Sequence, residues 1–114
     1  MTEPGRAPQV ENLDIDAIRQ GLADGSIVVV DVREPNEFEA GHIPGSLLQP
    51  LSTFDPAELP QEPGKRIVLS CRSGNRSLKA AALAHAAGIP VDAHYAGGFV
   101  DWVAQGAPVE TGPG

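Results

Sequence analysis

Two uninterrupted apolar runs constrain this chain more than anything else in it. One is Ile27-Val28-Val29-Val30, continuing through Asp31 to Val32; the other is Ile67-Val68-Leu69, opened by Arg66 and closed by Ser70. Neither run alternates apolar with polar residues, so neither reads as a strand with one wet face. Continuous β-branched and aliphatic residues suit a strand buried on both faces, as in a parallel sheet. Helical patterns lie between such runs. Asn12-Leu13-Asp14 offers a helix cap, and Leu13, Ile15, Ile18 and Leu22 recur near helical spacing until Gly21 or Gly25 ends the helix.

The pattern continues to the other end of the chain. Pro35 opens a short helix over 35–40, residues 41–45 form a turn, and 46–51 make a short strand. A loop that can hold a short helix runs to Gly64. After the second apolar run, an alanine-rich helix spans 77–87 and stops at Gly88; a strand follows over 89–95, then a Gly97-Gly98 turn and a last helix over 99–105. Alternating strand and helix implies an α/β domain, a parallel sheet with helices on both faces. At 114 residues there is room for one domain. We expect a flexible tail over 1–9, the domain over 10–109, and a tail over 110–114 that continues the Pro/Gly-rich stretch begun at Gly106.

In open parallel sheets, ligands bind at the carboxyl ends of the strands. Cys71-Arg72-Ser73-Gly74-Asn75-Arg76-Ser77 follows one such end, and Asp31 and Arg33 lie at another. The chain carries a net charge of −7, yet Lys65, Arg66, Arg72, Arg76 and Lys79 cluster, and no Asp or Glu occurs between Glu62 and Asp92. A basic island in an acidic protein argues for local anion recognition rather than nucleic-acid binding. Lys65, Arg66 and Lys79 read as ordinary surface charges; Arg72 and Arg76 sit in the loop itself. A cysteine among loop amides, at a helix N-terminus and beside arginines, is set up as a thiolate.

Cys71 is the sole cysteine, which excludes an internal disulfide and leaves no resolving thiol. His42, His85 and His94 have no ligand spacing among them, so neither metal nor cofactor is expected. No apolar stretch approaches the roughly 20 residues of a membrane span, and the first nine residues lack the apolar core of a signal peptide. The expectation is a cytoplasmic protein without membrane or nucleic-acid partners, a monomer or weak dimer.

Three ordered motifs then carry a resemblance: Asp31-Val32-Arg33-Glu34-Pro35-Asn36-Glu37-Phe38-Glu39-Ala40-Gly41-His42-Ile43-Pro44-Gly45-Ser46, the Cys71–Ser77 loop, and Gly97-Gly98-Phe99-Val100-Asp101-Trp102. Over about residues 12–109 the chain resembles the single-domain rhodaneses, the thiosulfate:cyanide sulfurtransferases. The resemblance implies a three-layer domain with a central parallel five-stranded sheet. It also implies transfer of a sulfane sulfur from thiosulfate to cyanide or another thiophile through a Cys71 persulfide, by ping-pong kinetics. Dual-specificity phosphatases share this fold but use a longer Cys-x5-Arg loop; here Cys71 to Arg76 is Cys-x4-Arg. A shorter nest of N–H donors closes around a sulfur atom on the thiol better than around a tetrahedral anion.

Roles follow residue by residue. Cys71 is the expected nucleophile, its thiol pKa lowered by loop amides, helix dipole and Arg72/Arg76. Arg72 guides the anion; Arg76 either does the same or folds back on a carboxylate to brace the loop. Gly74 supplies unusual backbone angles, and Ser73, Asn75 and Ser77 bond the loop backbone and cap the helix. Asp31 and Arg33 support the loop from the neighbouring strand. His42 satisfies a buried turn rather than acting as a base, and Trp102 packs in the core. Two other functions compete: a persulfide carrier docked to a partner protein, and a phosphatase or arsenate reductase, which the loop length and the lack of a second thiol disfavour.

Overall fold

The computed structural model describes residues 9–113. Apart from Gln9, the expected N-terminal tail lies outside the described residues. In chain order the elements are β1 (Glu11–Leu13), α1 (Ile15–Asp24), β2 (Ile27–Asp31), α2 (Pro35–Ala40), β3 (Leu47–Leu48), β4 (Arg66–Ser70), α3 (Asn75–Ala86), β5 (Ala93–Tyr95) and α4 (Gly98–Ala104). Short 3-10 turns at Leu51–Thr53 and Pro56–Glu58 occupy the loop before β4. The five strands form one parallel sheet in the order β1-β5-β4-β2-β3. No helix among the described residues is long and apolar enough to cross a membrane.

The two apolar runs are the central strands, paired from Ile27 opposite Arg66 to Asp31 opposite Ser70. Their residues divide by parity, as successive side chains of a strand must. Val30, Val32, Ile67, Leu69 and Cys71 join Ala80, Ala81 and Ala84 of α3 in one core. Val29 and Val68 face the other way, joining Ile18 of α1, Tyr95 of β5 and Trp102 of α4 in a second. The alanine-rich face of α3 lets that helix lie close on the sheet, while its larger Leu78 and Leu83 are exposed. Across the second core, Tyr95 and Trp102 meet edge to face with centroids 6.4 Å apart.

The structure departs from the sequence expectations at the short elements. Asn12 and Leu13 belong to the edge strand β1, and only Asp14 caps α1, accepting a hydrogen bond from the Ala17 N–H at 2.9 Å. Three residues of strand next to a good cap carry too little pattern to be separated from the helix that follows. The strands expected over 46–51 and 89–95 shrink to Leu47–Leu48 and Ala93–Tyr95: Leu51 opens a 3-10 turn, and the Ile89 and Val91 N–H groups donate to the Ala84 and Ile89 carbonyls in the turn after α3. α3 starts at Asn75, and Gly74 occupies its cap position with no side-chain cap bond, so the expected capping by Ser73, Asn75 and Ser77 does not occur; Ser77 does bond the loop backbone, its Oγ donating to the Gly74 carbonyl at 3.1 Å.

The Pro/Gly-rich C-terminal stretch is not a loose tail over the described residues. Ala107 is buried, the Trp102 indole N–H donates to the Pro108 carbonyl at 2.6 Å, and His42 and Glu110 exchange backbone hydrogen bonds of 2.8 and 3.0 Å. Gly112 N–H adds a bond to the Glu39 carbonyl at 2.9 Å. His42 itself stacks on the Phe38 ring at 3.7 Å and bonds the Phe38 carbonyl through Nδ1 at 2.8 Å, the buried-turn arrangement. The strap thus rests on Trp102. Trp102→Phe keeps an aromatic core but removes the N–H, and should cost about 1–3 kcal/mol in urea unfolding. Hydrogen exchange at the Glu110 amide should accelerate more than exchange at Val68 in the sheet centre.

Candidate active site

The loop between β4 and α3 turns on two close approaches. Gly74 adopts φ 95°, in the left-handed region, and a Cβ there would stand 2.6 Å from the Ala96 carbonyl oxygen. Gly98 adopts φ 65°, and its Cβ would stand 2.6 Å from the Cys71 carbonyl oxygen. Both positions therefore need glycine for conformation and for space. With no side chain in the way, the start of α4 docks on the loop: Phe99 N–H donates to the Cys71 carbonyl at 2.9 Å and Val100 N–H to the Arg72 carbonyl at 3.1 Å. Two loop carbonyls are thereby held by α4, and loop N–H groups turn to the sulfur.

Cys71 is 1% exposed. Its Sγ accepts from the Gly74 N–H at 3.1 Å and lies 3.5 Å from Ser77 Oγ. Burial pushes the thiol pKa up, but the Ser77 hydroxyl and the amides of Ser77, Ser73 and Gly74 more than offset it, and the thiol lies below its ordinary value. The loop amides act as expected. The arginines do not lead this shift, because neither holds its guanidinium on the sulfur.

Arg76 reaches back to α2, where its two terminal nitrogens donate to the two Glu37 carboxylate oxygens at 2.6 and 2.9 Å. Of the two roles open in the sequence, this is the bracing geometry. The Arg76 hydrogen bonds hold the Glu37 carboxyl at a pKa of about 2. Glu37 also accepts from the Glu34 N–H at 3.1 Å, so one carboxylate closes the first turn of α2 and fastens the loop to it. Arg72 is exposed and makes no ion pair among the described residues.

Asp31 and Arg33 form a buried pair of their own at 2.7 Å. Arg33 also donates to the Gly41 carbonyl at 2.8 Å and lies over the Phe99 ring at 4.3 Å. Since Phe99 donates to Cys71, the pair bears on the loop through the start of α4 and without touching the sulfur. The basic island disperses in space. Arg66 pairs with Glu11 and Asp92, and Lys65 with Glu62, at the far end of β4 from Cys71. Ser73 and Asn75 are exposed, whereas Ser77 is fully buried beside the sulfur.

Sequence reasoning did not connect His94 with this loop. Its Nδ1 lies 2.7 Å from Ser77 Oγ, and its Nε2 lies 2.7 Å from Asn12 Oδ1. The one sequence signal available was a histidine inside a short apolar strand; its partners come from β1 and α3.

Two measurements check this architecture. Gly98→Ala should destabilise the fold by more than about 2 kcal/mol and slow alkylation of Cys71. Gly45→Ala, at φ 82° with open space around it, should cost about 1 kcal/mol and leave alkylation unchanged. For the ion pair, the folded Glu37 pKa lies below its unfolded value. Its stabilisation is therefore present above a pH of about 4.5 and is lost as the pH falls towards about 2. Glu37→Gln should lower stability at neutral pH by about 1 kcal/mol and flatten the acid limb in that window, as read by urea unfolding across pH.

Comparison with known proteins matches this geometry. The pattern of the rhodanese-like domain covers residues 14–105. The chain is 42% identical over 91 residues to the uncharacterized protein slr1261 of Synechocystis, covering 80% of this chain but about half (51%) of that relative's length. It is 33% identical over 99 residues to a thiosulfate:glutathione sulfurtransferase of Saccharomyces cerevisiae, covering 75% of this chain and 71% of the yeast protein. The solved structure of the human single-domain sulfurtransferase TSTD1 superposes with a TM-score of 0.69 at 31% identity, covering 82% of this chain and 96% of that one. With its five parallel strands, its loop after β4 and this span of likeness, the chain belongs to the rhodanese-like domain family of sulfurtransferases.

Proposed function

We propose that this domain transfers a sulfane sulfur from thiosulfate to a thiophilic acceptor through a persulfide on Cys71. The observation that carries the reading is the sulfur held at 3.1 Å by the Gly74 amide, in a loop whose donors keep the thiol pKa below its ordinary value. In the first half-reaction the Cys71 thiolate attacks the outer sulfur of thiosulfate. A bond forms from Sγ to that sulfur, the sulfur–sulfur bond of thiosulfate breaks, and its electron pair leaves with sulfite. In the second, cyanide or a thiolate attacks the terminal sulfur of the persulfide, and the electron pair of the breaking bond returns to Cys71 as thiolate. The same loop amides stabilise the anionic sulfur in both resting states.

Thiosulfate presents one sulfur end-on, which suits a nearly buried Sγ. The exposure of Arg72 at the loop supports its attracting the sulfite end. Phosphate chemistry is a poorer fit, since both terminal nitrogens of Arg76 are committed to Glu37 and offer no free fork to a tetrahedral oxyanion. The yeast relative's name, thiosulfate:glutathione sulfurtransferase, supports a thiol as acceptor. A reducing compartment such as the cytoplasm would keep Cys71 available. The carrier reading draws on the exposed Leu78 of α3 and Val100 of α4, apolar groups on the two helices that flank the loop.

Intact-protein mass spectrometry separates these readings. Incubation with thiosulfate should add one sulfur atom to the native protein and none to Cys71→Ala, and cyanide should remove it as thiocyanate. Arg72→Ala should raise KM for thiosulfate about tenfold, with kcat held. No gain of sulfur, while Cys71 still alkylates readily, would overturn thiosulfate as donor and leave a protein persulfide feeding a carrier.

A further inference from the structure

His94 is a buried titratable group that the sulfur-transfer cycle above does not use. Its strand neighbours Ala93 and Tyr95 point into the core shared with α1 and α4. By strand parity, His94 faces α3, level with Leu69 on one side and Asn12 on the other. An aliphatic residue would pack there. Instead a 2%-exposed imidazole sits there with both ring nitrogens engaged, Nδ1 on Ser77 Oγ and Nε2 on Asn12 Oδ1, each at 2.7 Å. Ser77 Oγ in turn lies 3.5 Å from Cys71 Sγ. Four polar groups from β1, β5, α3 and the loop thus form one chain of hydrogen bonds ending at the reactive sulfur.

We propose that Ser77, His94 and Asn12 form a relay that accepts the Cys71 proton when the thiolate forms. In the thiol state S–H donates to Ser77 Oγ, the Ser77 O–H, which also has the Gly74 carbonyl at 3.1 Å as an acceptor, turns to His94 Nδ1, and Nε2–H donates to Asn12 Oδ1. The S–H bond then breaks towards Ser77 oxygen as the proton of Ser77 passes to Nδ1. The product is a thiolate that accepts from the Ser77 O–H, beside an imidazolium that donates from both nitrogens. Atoms and charge balance within the cluster, which stays neutral overall. That neutrality limits the cost of charging a buried imidazole.

Asn12 has a defined part in this scheme. An amide carbonyl accepts from Nε2–H in both states and takes no proton itself, so it fixes the tautomer that leaves Nδ1 free to receive. Around the imidazole, β4 contributes Leu69, β1 contributes Asn12 and α3 contributes Ser77, through which the loop's Cys71 thiol is reached. The nearby charge on Arg76 is paired with Glu37. Burial lowers the His94 pKa and so disfavours the imidazolium; the thiolate formed with it, joined through Ser77, offsets that cost. His94 acts through Ser77, which makes it a positioning residue for the sulfur chemistry.

The relay rests on Cys71 as the reactive thiol, and its test uses no sulfur donor, so its failure and the failure of the persulfide cycle are distinguishable. Nitrogen-15 NMR of the imidazoles, followed across pH in the native protein and in Cys71→Ala, reads the coupling directly. The His94 titration midpoint should fall in Cys71→Ala, because the imidazolium loses its thiolate; the midpoints of His42 and His85 should stay. Reciprocally, His94→Gln should raise the Cys71 pKa and slow iodoacetamide alkylation at pH 7 by about tenfold, one pKa unit. Ser77→Ala, which breaks the relay without removing the ring, should slow it in the same direction. An identical His94 midpoint with and without the thiol, or an alkylation profile unmoved in a folded His94→Gln or Ser77→Ala protein, would overturn the relay.

Discussion

The loop after β4 can turn its N–H groups on Cys71 because its carbonyls are taken elsewhere. The Phe99 and Val100 amides at the start of α4 accept that load by donating to Cys71 and Arg72. Helix N-termini carry unpaired N–H groups that need acceptors, and the loop carries carbonyls that need donors. Each feature satisfies the other. The contact is close enough that Gly98 has no substitute, and the third sequence motif, Gly97-Gly98-Phe99-Val100-Asp101-Trp102, is the part of α4 that makes it. Trp102 then anchors α4 in the core and holds the C-terminal strap through Pro108. Core packing, strap and thiol geometry are mechanically one assembly.

Electrostatics in the site are local despite the acidic composition. The Arg76–Glu37 pair joins α3 to α2, and the Asp31–Arg33 pair reaches α4 through Phe99. Both pairs hold their charges a step away from the sulfur. The thiol pKa is lowered instead by neutral dipoles, the amides and the Ser77 hydroxyl, which act at hydrogen-bond distance in a place where a free charge would be costly to bury. This division leaves Arg72 as the loop cation without an ion-pair partner among the described residues, and it suits a site that an anion must enter and leave.

Much of the fold was legible because strong patterns coincide with strong burial. Ile27–Asp31 and Arg66–Ser70 have the composition of strands covered on both faces, and they are the two central strands. β1 was hidden because Asn12 and Leu13 abut the Asp14 cap and can be counted into the helix. The strap was hidden because Gly106, Pro108 and Gly112 have loop composition, while what fixes them is the distant Trp102 indole and the His42 backbone. Arg76 could not be assigned from its neighbours, since a guanidinium serves a substrate anion or a carboxylate equally well. Glu37, 39 positions away, settles where it points.

The sequence by itself determined the order of elements from α1 onward, the parallel sheet and the placing of Cys71 at a strand's carboxyl end, because periodicity and turn residues act over a few positions. Tertiary structure alone decided which loop amides face the sulfur, that Arg76 braces α2, and that Asn12, His94 and Ser77 meet. Those facts depend on strand order. β5 inserts between β1 and β4, so residues 82 positions apart become adjacent across the sheet, and no local pattern records that adjacency.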